Sequence, residues 1–211
     1  KTLTEFINSS FLEHLTENLP KKPWCTDIKG TGLIVQPKEK AIKYKYIQLN
    51  HPCYQKYIIL DLDYEHSLAE ILFNRVGIPL PNFVTANFVG GRSHVVFELE
   101  KPIYKTDHSR LKVIEFAHAI TQRLQELFDA DVAYSGTITK NPASSNWRVT
   151  ELRQKPYSLH ELAEKIDLPP KLLPSQKEKI SAHEAIGLGR NCYVFHTACP
   201  FAYREIRAYR G

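Results

Sequence analysis

Lys56-Tyr57-Ile58-Ile59-Leu60-Asp61-Leu62-Asp63-Tyr64 is the stretch on which the fold turns. It is aliphatic, partly β-branched, and bounded by Pro52 and by Glu65-His66-Ser67, which marks a β-strand. Alternate side chains of a strand share a face, so Asp61 and Asp63 point one way. Leu60, Leu62 and Tyr64 then point the other way, into a core. Two carboxylates on one strand face, about 7 Å apart, repel each other where water is partly excluded. A divalent cation relieves that repulsion, and hard oxygen ligands suit magnesium or manganese. Such a pair anchors two-metal phosphoryl chemistry. An Asp-x-Asp also fits a strand end, where aspartates cap exposed backbone groups, and the pair alone does not choose between these roles.

Upstream, Thr2-Leu3-Thr4-Glu5 reads as a capping box, and Leu3, Ile7, Phe11, Leu15 and Leu19 follow at a spacing of four. This predicts an opening helix stopped by Pro20 and Pro23. Residues 32–35 and 41–49 read as short strands. Downstream, 67–76 is expected to form a short helix ending near Gly77, and 82–87 and 93–99 two strands around Gly90-Gly91. A long helix follows, with Asp107 as its cap and Val113, Phe116, Ala117, Ile120, Leu124 and Leu127 along one face. Residues 131–153 read as short strands and loops. Ser158-Leu159-His160-Glu161 is a second capping box, opening a helix to about Ile166. Pro169, Pro170 and Pro174 mark a linker, and a basic helical tail follows from about Ser181. Interleaved strands and helices predict an α+β fold, with a core over 1–155 and a helical module over 156–211.

The chain has 211 residues, enough for one good core with a small satellite. Its apolar runs are strand-sized, so no membrane span is expected. No charged-then-apolar leader opens it, and a cytoplasmic location is the default expectation. The cysteines at 25, 53, 192 and 199 form no C-x-x-C pair, which argues against a zinc knuckle and leaves reduced, structural thiols. A formal charge of +5 permits nucleic-acid contact without requiring it. Its distribution is clustered: Lys21-Lys22, four lysines between Lys38 and Lys45, and Arg204, Arg207 and Arg210.

Three further segments carry polar chemistry. Ser93-His94 opens an apolar strand, where a histidine suits phosphate contact, metal ligation or proton transfer as well as a structural role. Asp129 and Asp131 both follow the long helix and either could be a third acid, with Asp131, at the start of an extended piece, the better placed. Thr139-Lys140-Asn141-Pro142 and Asn146-Trp147-Arg148 gather cations, amides and an indole, which suit triphosphate oxygens and base stacking.

Taken in order, Asp61-Leu62-Asp63, Ser93-His94 and Asp131 resemble the three motifs of the archaeo-eukaryotic primase superfamily. Further stretches resemble the replicase (Rep) proteins of colicin E-type plasmids: 91–99, Ala130 to Gly136, Thr139 to Pro142, Trp147-Arg148-Val149, Pro156 to Ala163 and Gly187 to Asn191. The likeness runs from about residue 20 to the end. It implies a catalytic core with an RRM-like antiparallel or mixed sheet, followed by a helical primase C-terminal module. It also implies a primase making a short RNA primer from nucleoside triphosphates at a plasmid origin, which a host DNA polymerase extends. Asp61, Asp63 and Asp131 would hold one or two Mg2+ or Mn2+ ions, with His94 and Ser93 on the incoming phosphates. Lys140, Asn141 and Arg148 would contact nucleotide or template.

The chain departs from that family where Gly-His-x-His is common, since Arg92-Ser93-His94 stands there and only His94 carries over. Such proteins continue into an origin-binding domain, so a chain ending at Gly211 reads as a fragment. Two other functions remain open on sequence. A rolling-circle initiator endonuclease needs paired metal-binding histidines, and position 92 is arginine. A non-catalytic origin-binding protein would leave the acids structural.

Overall fold

The structure, a computed structural model, describes residues 9–74, 77–106 and 111–168. In chain order its elements are α1 (Ser9–Asn18), β1 (Trp24–Thr26), β2 (Ile34–Val35), α2 (Lys38–Ala41), β3 (Tyr46–Ile47) and β4 (Tyr54–Leu62). There follow α3 (Ser67–Ala69), β5 (Phe83–Ala86), β6 (Ser93–Tyr104), α4 (Leu111–Phe128), β7 (Thr139–Lys140), β8 (Arg148–Glu151) and α5 (Leu159–Lys165). The strands make two four-stranded sheets, ordered β2-β1-β3-β7 and β4-β6-β5-β8, and every named pair is antiparallel.

The larger sheet is covered on both faces, which explains why β4 reads as a continuous apolar run rather than an alternation. Ile58, Leu60 and Leu62 join Val84, Val95, Phe97 and Leu99 against Ala117, Ile120, Leu124 and Phe128 of α4. On the other face Tyr57, Ile59, Phe83 and Val96 pack against Leu15 and Leu19 of α1 and Cys25 and Ile47 of the smaller sheet. The layers are therefore helices, large sheet, and small sheet with α1. Asp61 and Asp63 fall where the second apolar face runs out.

Local chemistry sets the element ends. Asp129 closes α4 in a left-handed conformation (φ 54°). Ala130 N–H then bonds to Gln125 O at 2.9 Å and Asp129 N–H to Glu126 O at 3.3 Å, a Schellman closure. Ser158 caps α5, its Oγ accepting from Glu161 N–H at 3.0 Å, as the capping box predicts. Elsewhere the expected elements are trimmed. Of the strand expected over 41–49, Tyr46–Ile47 pairs, and Lys38–Ala41 winds into a helical turn. The helix expected over 67–76 is α3 followed by a π turn at Glu70–Asn74. The helix caps expected at Thr2 and Asp107, and everything expected from Pro169 onward, lie outside the described residues.

Tyr157, Leu162 and Ile166 sit in the same core as β4, β6 and α4. Among the described residues no helix is long and apolar enough to cross a membrane.

Candidate active site

Direct sheet partners share a face, and the register aligns Asp61, His94, Thr85 and Val149 across the four strands. His94 is fully buried and Asp61 is 9% exposed. His94 Nε2 lies 3.3 Å from Asp61 Oδ1, a close contact whose angles fall short of a full hydrogen bond. The opposite ring nitrogen is held by the small sheet. His94 Nδ1 accepts from the Lys140 backbone N–H at 3.3 Å and stands 2.5 Å from Thr139 Oγ1, while the Tyr134 ring meets the imidazole edge at 5.1 Å. A backbone N–H can only donate, so neutral His94 carries its proton on Nε2, facing Asp61. Burial keeps this imidazole neutral, with its pKa pushed down to about 4 against the opposing pull of Asp61. Burial acts to raise the Asp61 carboxyl. The His94 contact, then Lys140 and Lys29, outweigh it and hold the group below its ordinary range.

β7 lays Lys140 beside this pair. The lysine is buried, and its pKa is lowered to about 8, first by burial, with Asp61 and Asp63 opposing and Lys29 and Arg92 adding to the shift. One ammonium thus senses both strand carboxylates, as expected if they share a side. Around it lies a cation–aromatic group. Lys29 Nζ is 5.0 Å from the Tyr46 ring, Tyr46 and Trp147 are 5.3 Å apart, and Lys140 Nζ is 5.9 Å from the Trp147 ring. Trp147 is pinned by Nε1–H donating to Lys45 O at 2.8 Å.

Asp63 lies one residue past the end of β4 and is exposed. Asp131 is exposed too, and its N–H donates to Asp61 O at 2.9 Å, which brings the third acid to the edge of the carboxylate strand. Its Oδ1 accepts from Ala133 N–H at 2.8 Å. Asp129 is spent in the helix closure described above. Among the described residues no three His, Cys, Asp or Glu side chains converge closely enough to hold a metal ion.

Two residues expected to touch substrate are placed elsewhere. Ser93 neighbours His94 along β6 and therefore faces the opposite side of the sheet, fully buried, with its Oγ 2.6 Å from Ser67 Oγ. Asn141 is fully buried as well, its amide donating to Ile42 O and Tyr44 O at 2.7 and 2.6 Å. It fastens the loop behind the site. Arg148 is exposed at the start of β8, 5.9 Å from the Phe88 ring. Lys29, Tyr46, Arg92, Tyr134 and Thr139 are the site neighbours that residue-by-residue reading passed over. The Lys43-Tyr44-Lys45-Tyr46 run did carry a signal, basic residues interleaved with aromatics.

Two cavities of about 340 Å3 lie away from this chemistry, one against Leu12, Thr16 and Lys38 and one around His14, Glu98 and Arg153.

The fold has a counterpart among solved structures. It matches the AEP domain of the primase-polymerase (PrimPol) of cyanophage S-2L with a TM-score of 0.51 at 13% identity, covering 74% of this chain and 95% of that one. The sequence itself then places the protein: the Replicase family model matches residues 18–166, and the chain belongs to the Replicase family. Among the curated proteins none matches significantly.

Proposed function

We propose that the chain is the catalytic core of a DNA-directed primase, a nucleotidyltransferase that makes a short RNA primer at a plasmid origin. The observation that carries this reading is the Asp61–His94–Lys140 arrangement at the seam of the two sheets, with Asp63 and Asp131 at its open side. Asp61 Oδ1 is a buried carboxylate oxygen with no hydrogen-bond partner, and the acids around it offer hard oxygen donors, which fits Mg2+ or Mn2+. Asp61, Asp63 and Asp131 would hold the metal, the two exposed side chains turning toward the buried one. When bound, it supplies charge stabilisation for the attacking 3′-hydroxyl and the departing pyrophosphate.

The chain's own groups do the rest. His94, enclosed with its Nε2–H toward Asp61, is suited to orient that carboxylate rather than to ligate the metal itself. Lys140, with Lys29 and Arg92 near it, neutralises the triphosphate. Tyr46 and Trp147 offer a half-buried surface for the incoming base, and Arg148 lies on the template side. Origin specificity and extension by a host DNA polymerase complete the proposal.

The test is metal-dependent incorporation of labelled nucleoside triphosphate on single-stranded origin DNA. Asp63→Asn should lower it by roughly a hundredfold or more while DNA binding persists, because several kcal/mol of transition-state stabilisation pass through the metal. Unchanged incorporation in that variant sinks the metal assignment.

A further inference from the structure

The turn joining β5 to β6, Asn87-Phe88-Val89-Gly90-Gly91-Arg92, projects from the end of the large sheet and leaves Phe88 54% and Val89 87% exposed. Exposed apolar tips are commonly loose, and this one is fastened. Asn87 N–H bonds to Arg92 O at 2.9 Å, His66 N–H to Gly90 O at 3.1 Å, and Ser67 Oγ–H to Gly91 O at 2.7 Å. A side chain at Gly91 would bring its Cβ to 3.0 Å of the His66 nitrogen, so loop and hairpin are in backbone contact. An aromatic ring is thus held in water on a rigid mount, which is expensive to maintain for no contact.

Its surroundings name the contact. Arg148 stands 5.9 Å from the Phe88 ring, and Arg92, in the hairpin itself, is close enough to Lys140 to depress that lysine's pKa. The hairpin carries no acid of its own, and the Glu65 carboxylate stands beside Gly90. Cations framing an exposed ring match phosphates framing an unpaired base, and a ring in the open can stack only on a base that is not already paired. Position along the sheet agrees. Leu62, Ser93, Ala86 and Arg148 form one cross-strand row, so Arg148 starts from the face opposite Asp61 and His94 but sits at the same end of the sheet, where a strand can pass around the edge from one face to the other. Three strand spacings separate β4 from β8, roughly 14 Å. That distance spans a few stacked nucleotides at about 3.4 Å each.

We propose that the 87–92 hairpin is the platform for the single-stranded template, Phe88 stacking on an unpaired base a few nucleotides from the reacting one while Arg148 and Arg92 take the neighbouring phosphates. The proposal rests on the primase reading for the word template and deepens it by separating two stations. Tyr46 and Trp147 receive the nucleotide, and Phe88 receives the strand.

The experiment uses the full chain and a short oligothymidylate. Phe88→Ala should weaken binding about fivefold or more. Phe88→Trp should keep the affinity and Phe88→Leu should not, because stacking needs a π-face. Arg148→Gln should reduce the slope of log affinity against log salt by about 0.7, one phosphate contact on a single strand, whereas Phe88→Ala leaves the slope unchanged. Ultraviolet cross-linking of an iododeoxyuridine oligonucleotide should mark Phe88. Unchanged affinity in Phe88→Ala, leucine serving as well as tryptophan, or cross-links confined to other segments each overturn the platform and leave the tip to a protein partner. Asp63→Asn separates the two failures. If its incorporation is lost while Phe88→Ala binds normally, the platform falls and the primase reading stands; if its incorporation persists, only the metal assignment falls, and if the unsubstituted chain incorporates no nucleotide, the primase reading falls independently of Phe88.

Discussion

His94 is fully enclosed, so folding forces its imidazole to remain neutral well below the pH at which the unfolded chain protonates it. With a folded pKa of about 4 and an ordinary value of 6.5, the unfolded state binds the extra proton across that interval. Stability is complete above the ordinary value, falls as pH drops toward 4, and levels off below. Asp61, held lower still than an ordinary carboxylate, titrates outside this window. Between about pH 7 and about pH 5 the loss from this one group should be about 2 kcal/mol. His94→Gln removes the titrating ring, so urea midpoints in chelator at the two pH values should converge by that amount in the variant, whatever its absolute stability. Equal pH sensitivity in the two proteins would show that the ring is hydrated. The same residue marks the limit of reading a site by spacing. Alternation along a strand already separates Ser93 from His94, yet a motif read as a unit joins them. That Asp131 would come to Asp61 depended on a turn of the chain after α4, which a left-handed aspartate makes and no periodicity announces.

At the scale of elements, the hairpin and the 63–67 loop hold each other through backbone, which gives the two glycines different roles. Gly90 and Gly91 both have positive φ, 76° and 72°. A methyl group at Gly90 meets little, the nearest atom being Glu65 Oε1 at 3.9 Å, whereas at Gly91 it meets His66 backbone at 3.0 and 3.2 Å. Gly90→Ala should therefore cost about 1 kcal/mol, the left-handed penalty alone. Gly91→Ala should cost about 2–3 kcal/mol, because backbone must also shift. Urea denaturation of the two variants checks the difference, and equal losses would mean that loop and hairpin are not in contact. The elements that sequence reveals are those long enough to show a period or chemical enough to show a cap: β4, β6, α4, and α5 with its Ser158. Of the small sheet, the short strands expected over 32–35 and 41–49 contain β2 and β3, whereas the two residues of β7 are too few to show an alternation. Yet β7 is the element that brings Thr139 and Lys140 to His94.

For the whole molecule, the question is whether the helical layer and the small sheet stand or fall together. The sequence, with its prolines and second capping box, suggests a division after 155. The packing joins α5 to the core through Leu162, which is fully buried among residues of β4, β6 and α4. The site straddles the other seam, with Asp61 and His94 on the large sheet and Thr139 and Lys140 on the small one, so it exists only while both sheets are docked. Leu162→Ala removes apolar contact from the layer farthest from the site and should cost about 2–5 kcal/mol, according to how far the gap closes. The two tryptophans make the outcome readable. Trp24 lies in β1 and Trp147 against Tyr46 of β3, so fluorescence follows the small sheet, while far-ultraviolet circular dichroism is dominated by α4 and its neighbours. If the described core is one cooperative unit, both signals in Leu162→Ala shift to the same lower urea midpoint. If residues after 155 form a module of their own, only the small part of the helical signal that α5 contributes moves, while the α4 signal and the fluorescence keep their original midpoint. In that case the 18–166 family match would span two folding units, as the division read from sequence expects.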